Sequence, residues 1–185
     1  QWNTSQVTDM HSMFYRSEFN GDISNWDVSQ VNNMTGMFQE SRFNGDISAW
    51  DVSNVTQMGA LFEDGLFNRD ISKWNTSKVR EMFSMFKNTP FNGDLSNWDV
   101  SSVTTMASMF DGCPFYGDLS RWNVSNVREM VFIFFNKHEF PCVDGWVLHP
   151  QVDAALAFGI DSPGVSLSSL SIAQGLREQQ GAQLG

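Results

Sequence analysis

Apolar and polar positions along this chain recur with a period of 24 residues. We number each repeat from its tryptophan, which is position 1. Six copies, from Trp2 to about residue 140, fit the consensus W-[DN]-[VT]-S-x-V-x-x-M-x-x-M-F-x-x-x-x-F-N-G-D-[IL]-S-x. The tryptophans in this register are Trp2, Trp26, Trp50, Trp74, Trp98, Trp122 and Trp146. A period of this size is typical of stacked repeats, in which each unit buries its apolar face against its neighbours.

Apolar residues at positions 6, 9, 12 and 13 have the i, i+3, i+6, i+7 spacing that lines one face of a short helix. In the first repeat these are Val7, Met10, Met13 and Phe14. The serine at position 4 is the predicted N-cap of that helix. The F-N-G-D segment that follows predicts a turn, because glycine tolerates positive φ and Asn and Asp bond their own backbone.

The segment [IL]-S-x-W-[DN]-[VT] has apolar residues at i, i+3 and i+5, which predicts an extended strand with the rhythm of a leucine-rich repeat. We therefore predict an α/β repeat protein: a right-handed leucine-rich-repeat-like solenoid of six 24-residue strand–turn–helix repeats. The Trp, Met and Phe columns are predicted to form its core, since burial of these side chains offsets the entropy lost on folding.

Two parts of the chain differ in character. Residues 1–140 form the predicted repeat array, and residues 141–185 gain Ala, Ser, Gly and Gln while only Trp146 keeps register. This second part is either a degenerate C-terminal cap on the last repeat or a flexible tail. It contains two predicted short helices, at about residues 152–160 and 166–180.

The formal net charge of −10 disfavours nucleic acid and anionic lipid as partners. No apolar run reaches the roughly 18 residues of a membrane span, so no span is expected in this piece. Because the chain starts at Gln1 directly on a repeat, we expect it to be part of a longer chain.

Position 2 is the first candidate for ligand binding, because it recurs as Asp or Asn without a role in the predicted core. Its members are Asn3, Asp27, Asp51, Asn75, Asp99 and Asn123, beside the variable residues Asn25, Ala49, Lys73, Asn97 and Arg121 at position 24. Alternation with buried Trp and Val predicts that position 2 faces solvent. Stacked carboxylates repel one another unless they are bonded or neutralised. Two interpretations follow: a ladder that recognises glycan hydroxyls or polar peptide edges, or a solvated face with local Asx bonds.

A second column of aspartates precedes the predicted strand: Asp22, Asp46, Asp70, Asp94 and Asp118. Calcium binding is one interpretation of this column, but one Asp in 24 residues is sparse for a calcium loop, so turn capping is favoured and neither metal nor cofactor is expected. Cys113 and Cys142 either form one disulfide or remain two free thiols. His11, His138 and His149 pair with no recurring Ser or Asp, so no hydrolytic triad is predicted.

The motif W-D-V-S-x-V-x-x-M-x-x-M-F with F-N-G-D-I-S, complete in residues 26–49, resembles the BspA-like leucine-rich-repeat surface proteins. That family includes mycoplasma-type lipoprotein repeats of unknown function. The resemblance implies a cell-surface or secreted array, often within a much longer protein and associated with adhesion, and it brings no catalytic residue. Arg69 for the turn Gly, Leu61 and Ile133 for the second Met, and Tyr116 for the turn Asn depart from the pattern.

Three classes of function are therefore weighed. The expected one is a non-enzymatic cell-surface or extracellular binding module that presents a repeated polar face to an extracellular protein or glycan. The alternative is a structural spacer or fibre segment of a longer surface protein. An enzyme is not expected, because no nucleophile, base and orienting group occur at recognisable spacing.

Overall fold

The computed structural model describes residues 2–135 and 140–158. Successive repeats stack on one another in a fixed register of 24 residues. Five isolated parallel bridges join position 8 of each repeat to position 8 of the next: Asp9 to Asn33, Asn33 to Gln57, Gln57 to Glu81, Glu81 to Thr105, and Thr105 to Glu129. A sixth joins Asp118 to Cys142. The one helix in the described residues is α1, Ala154–Phe158.

Neither element predicted for the repeat is present in the described residues. The segment predicted as a helix is a run of tight turns, and the segment predicted as a strand contains further turns. The left-handed conformation recurs in the predicted helix at positions 11 and 15. The residues with positive φ there are Ser12, Arg16, Gly36, Glu40, Ala60, Asp64, Ser84, Asn88, Ser108, Gly112 and Phe132. A left-handed residue ends an α-helix.

The third repeat shows what these turns achieve. The amides of Met58, Ala60 and Phe62 donate to carbonyls of the next repeat, at N–O distances of 2.9, 2.7 and 3.1 Å. The amides of Leu61 and Glu63, each one residue after such a donor, donate three residues back within their own repeat. An α-helix points all its amides along its own axis, so it offers none to a neighbour. Alternating amides instead bond each repeat to the next.

Around Trp50, the segment predicted as a strand does not pair with a neighbour, because its backbone amides donate to groups two or three residues earlier in the chain. The Ser48 amide donates to the Asp46 carboxylate, the Trp50 amide to the Ile47 carbonyl, and the Ser53 amide to the Asp51 carboxylate. Side chains and turns of this kind compete with a sheet for backbone groups. Within residues 2–135 the inter-repeat bridges therefore lie at position 8, in the segment that was predicted to be helical.

The core prediction is confirmed for the inner repeats. Trp50, Trp74, Trp98 and Trp122 are buried, and each indole Nε1 donates to the position 22 carbonyl 27 residues earlier, which belongs to the second repeat before its own; Trp74, for example, bonds the Ile47 carbonyl at 3.1 Å. Phenylalanines at positions 13 and 18 stack in two further columns, with neighbouring rings such as Phe38 and Phe62 at 5.9 Å. At the first repeat, by contrast, Trp2 is 67% exposed.

The glycine of F-N-G-D has a different role from the one predicted. Positive φ is not found at Gly21, Gly45, Gly93 or Gly117. A Cβ on each would lie 2.7–2.8 Å from the ring of the phenylalanine two residues earlier. Glycine is present because the ring packs against the backbone at that point.

Residues 140–158 cover the end of the sixth repeat. Trp146 stacks on Trp122 at 6.3 Å and donates to the Leu119 carbonyl at 2.8 Å. Helix α1 confirms part of the helix predicted near 152–160, and the Asp153 side chain caps it by accepting from the Ala155 amide. Phe158 at its end is buried beside Phe134. The predicted helix at 166–180 lies outside the described residues.

Candidate functional site

The candidate site is a polar face made of the exposed residues at positions 21, 24 and 2 of successive repeats. Buried residues at positions 22, 1 and 3 separate them, as Ile47, Trp50 and Val52 do in the array. All the predicted ligand-binding residues are exposed: Asn3, Asp27, Asp51, Asn75, Asp99 and Asn123 at position 2, and Asn25, Lys73, Asn97 and Arg121 at position 24. The exposure predicted from alternation is therefore confirmed.

Each Asp or Asn at position 2 holds a tight turn. The Oδ1 atom of Asp51 accepts from the Ser53 amide at 3.1 Å, and that of Asn75 accepts from both the Ser77 amide and its hydroxyl, at 3.2 and 2.8 Å. The prediction that this serine caps a helix is wrong, since the Asx side chain does the capping and the serine donates. Local Asx bonding, one of the two interpretations of this column, is thus present.

The aspartates at position 21 form the same turn with the serine two residues later. Asp22 Oδ1 accepts from the Ser24 amide at 2.9 Å, and Asp94 Oδ1 from the Ser96 amide at 2.9 Å. The turn-capping interpretation is confirmed. Each of the five boundaries between the six repeats consequently displays two fixed Asx turns, one on each side of its tryptophan.

Hydrogen bonds lower the pKa of these carboxyl groups. At position 21 the main cause is the backbone amide of the following serine, and at position 2 it is that serine's hydroxyl. Neighbouring repeats oppose the shift, because Asp27 raises the pKa of Asp51 and Asp46 raises that of Asp22. The polar face is therefore negatively charged at neutral pH.

These pKa shifts predict a loss of stability in acid. A carboxyl whose folded pKa lies below its unfolded value of 3.8 stabilises the fold fully above that value, and its contribution disappears as pH falls through the folded pKa. We expect the melting temperature to fall as pH is lowered from 5 to about 2.5. The matched control changes Asp27, Asp51 and Asp99 to Asn, which keeps the turn, as at Asn75, but does not titrate. A fall that is equally steep in this variant would contradict a contribution from position 2.

Sequence reasoning missed a third polar column, at position 19. The Oδ1 atoms of Asn20, Asn44 and Asn68 each accept from the position 19 amide of the next repeat, at 2.8, 2.9 and 3.2 Å. The recurring Asn of F-N-G-D was the signal for it, but it was attributed to bonding within its own turn. These amides join repeats together, so this column serves the stack.

The candidate cysteines and histidines of the described residues do not lie together in one site. Cys113 is buried and its thiol donates to the Phe91 carbonyl, whereas Cys142 is exposed, and no disulfide joins them. His11 and His149 bond to residues within two positions of themselves, and His138 lies outside the described residues. In residues 2–135 and 140–158, no three His, Cys, Asp or Glu side chains are grouped as metal ligands.

Comparison with protein families identifies the repeat. The profile of DUF285, a Mycoplasma protein family of unknown function, matches residues 1–90 and again residues 65–159. The chain belongs to the DUF285 family. Neither a curated protein nor a solved structure matches it. The described part of this DUF285 chain contains no helix with the length and hydropathy of a membrane span.

Proposed function

We propose that this DUF285 chain is a non-enzymatic binding module of a cell-surface or secreted protein, and that its polar face binds an extracellular protein or glycan. In this proposal the stacked repeats form a right-handed solenoid related to the BspA-like leucine-rich-repeat surface proteins. The extracellular location and the adhesive role rest on that resemblance.

One observation carries the proposal: the Asx residue at position 2 is exposed in all six repeats and its side chain is fixed by a bond to the following serine. A fixed polar group loses little conformational entropy on binding. Carboxylate and amide groups in a regular column suit the hydroxyls of a glycan or the polar edge of an extended peptide. Exposed Asn25, Lys73 and Arg121 at position 24 would then determine specificity.

The serines support a binding role over a catalytic one. The hydroxyls of Ser5, Ser77 and Ser125 donate to the Oδ1 atom of the Asx residue two positions earlier, at 2.7–2.8 Å. A nucleophilic serine needs an adjacent base to activate it, whereas these hydroxyls bond turn side chains.

The test is binding of the purified chain to a panel of matrix proteins and glycans. We expect selective binding that falls roughly tenfold or more when Asp27, Asp51 and Asp99 are changed to Asn, because charge is lost while the turn remains. Glu18→Ala with Arg42→Ala is the matched control, since that exposed ion pair lies outside the polar face. A folded wild-type chain that binds no member of the panel would favour the spacer instead.

A further inference from the structure

A groove of about 330 Å³ lies where the sixth repeat meets residues 140–158, here called the covering segment. Its apolar lining residues are Ala107, Met130, Val131 and Val152, which form its apolar wall, and Arg128 and Asp153 are among its polar lining residues. Val131 is 41% exposed, so part of this wall faces solvent. The groove is separate from the polar face, because it is lined by positions 7 to 10 of the repeat.

The inter-repeat backbone ladder ends in this groove. One repeat earlier, the Thr104 carbonyl accepts from the Arg128 amide and the Met106 amide donates to the Glu129 carbonyl, both at 2.8 Å. The corresponding groups of the sixth repeat are the Arg128 carbonyl and the Met130 amide. Within residues 2–135 and 140–158, neither of these two groups forms a hydrogen bond.

The covering segment pairs with the next inter-repeat amide of the ladder, two residues after Met130. The Phe132 amide donates to the Leu156 carbonyl at 2.9 Å, so the segment takes up the ladder one step beyond the groove. Residues 151–153 line the groove but do not continue the bridges at position 8. An acceptor and a donor of the ladder therefore remain open beside an apolar wall.

We propose that this groove binds an extended peptide segment, which continues the parallel ladder by one step. Two adjacent residues of the peptide satisfy the open groups: the amide of the first donates to the Arg128 carbonyl, and the carbonyl of the second accepts from the Met130 amide, as the Thr104 amide and the Thr105 carbonyl do with Arg80 and Met82 in the array. Open strand edges bind extended peptides in this way, with side-chain pockets supplying specificity. In each repeat the residue after the bridge is methionine, so a methionine at that place of the peptide fits the apolar wall.

This site goes beyond the proposed function, since it needs no ligand on the polar face. The probe is a fluorescent peptide with the sequence SSVTTMAS, copied from residues 101–108, which pair with the preceding repeat in the array. The matched control peptide carries one N-methyl group on the residue that corresponds to Thr104, whose amide donates to the Arg80 carbonyl in the array. It keeps every side chain and lacks the one amide that would bond the Arg128 carbonyl.

We expect the peptide to bind the whole chain with a dissociation constant below about 1 mM, and the N-methyl peptide to bind roughly tenfold more weakly. Val131→Asp should weaken binding similarly, whereas Val147→Asp, at an exposed valine outside the groove, should not. The Met130 amide resonance should shift on peptide addition, which decides the matter even if Val131→Asp fails to fold.

Equal affinity for the two peptides, or no binding at millimolar concentration, would overturn the proposal. A chain that dimerises through this edge, by light scattering, and is made monomeric by Val131→Asp would assign the edge to a second copy and also overturn it. Binding that survives in the Asp27, Asp51 and Asp99 to Asn variant separates this site from the polar face.

Discussion

Trp74→Ala is expected to destabilise the array by about 3–5 kcal/mol and to melt its neighbours with it. The side chain is only 4% exposed and stacks on Trp98 at 6.3 Å and on Phe62 at 6.4 Å. Removing it opens a cavity and leaves the Ile47 carbonyl without its indole donor. Thermal and urea melts followed by circular dichroism would measure the loss.

Two variants make this result specific. Trp74→Phe keeps an aromatic ring and removes the bond to the Ile47 carbonyl, so it should cost about 1–3 kcal/mol. Trp2→Ala removes a side chain that is 67% exposed and should cost far less than Trp74→Ala. Equal losses for Trp2→Ala and Trp74→Ala would contradict a core built on the inner tryptophans.

Gly59→Ala is expected to cost about 1–3 kcal/mol through overpacking against one ring. A Cβ at Gly59 would lie 2.2 Å from an edge carbon of Phe83, which comes from the next repeat. The half-buried Phe83 ring must therefore move away from the surface it covers. Melts of the single variant would show a lower transition midpoint.

A double-mutant cycle decides whether the ring is the cause. In the Phe83→Ala background the clash is gone, so Gly59→Ala should cost little there. A cost that is unchanged in that background would place the constraint in the Gly59 backbone and contradict the packing explanation.

The sequence predicted the period, the buried columns and the exposed positions of this protein. Buried Trp50 and exposed Asp51 follow directly from alternation, and the position 21 aspartates were correctly attributed to turn capping. These features depend on residue type and spacing alone. They are the features that hydrophobic periodicity can report.

The local backbone was not predictable in the same way. In the third repeat, successive turns place Val55, Met58, Leu61 and Phe62 in the core. The spacing of these four residues is also that of one face of a helix. A recurring glycine would have indicated the left-handed positions in the sequence, but Ala60, Ser84 and Phe132 have positive φ although they are not glycine. The groove beside Met130 could not be predicted from the sequence either, because it depends on which backbone groups of the sixth repeat the covering segment pairs with.

The polar face and the groove depend on different parts of the fold. Asp27 and Asp51 are held by turns inside their own repeats, so the column survives as long as the repeats stack. The Arg128 carbonyl and the Met130 amide lie at the end of the ladder, beside residues 140–158, and form no hydrogen bond within the described residues. A protein that uses both would bind one partner along its length and a peptide at its end.

The left-handed turns distinguish this architecture from a stack of short helices, and one pair of substitutions at position 11 separates the two. Ala60 and Gly36 have φ values of 53° and 61°, and the Ala60 amide donates to the next repeat. We predict that Ala60→Gly raises the free energy of unfolding and that Gly36→Ala lowers it, each by about 1 kcal/mol, because only glycine is unstrained there. In a helix both signs reverse, since Ala is preferred to Gly. Urea unfolding of the two variants beside the wild type is the measurement, and loss of stability in Ala60→Gly together with a gain in Gly36→Ala would contradict the turn architecture.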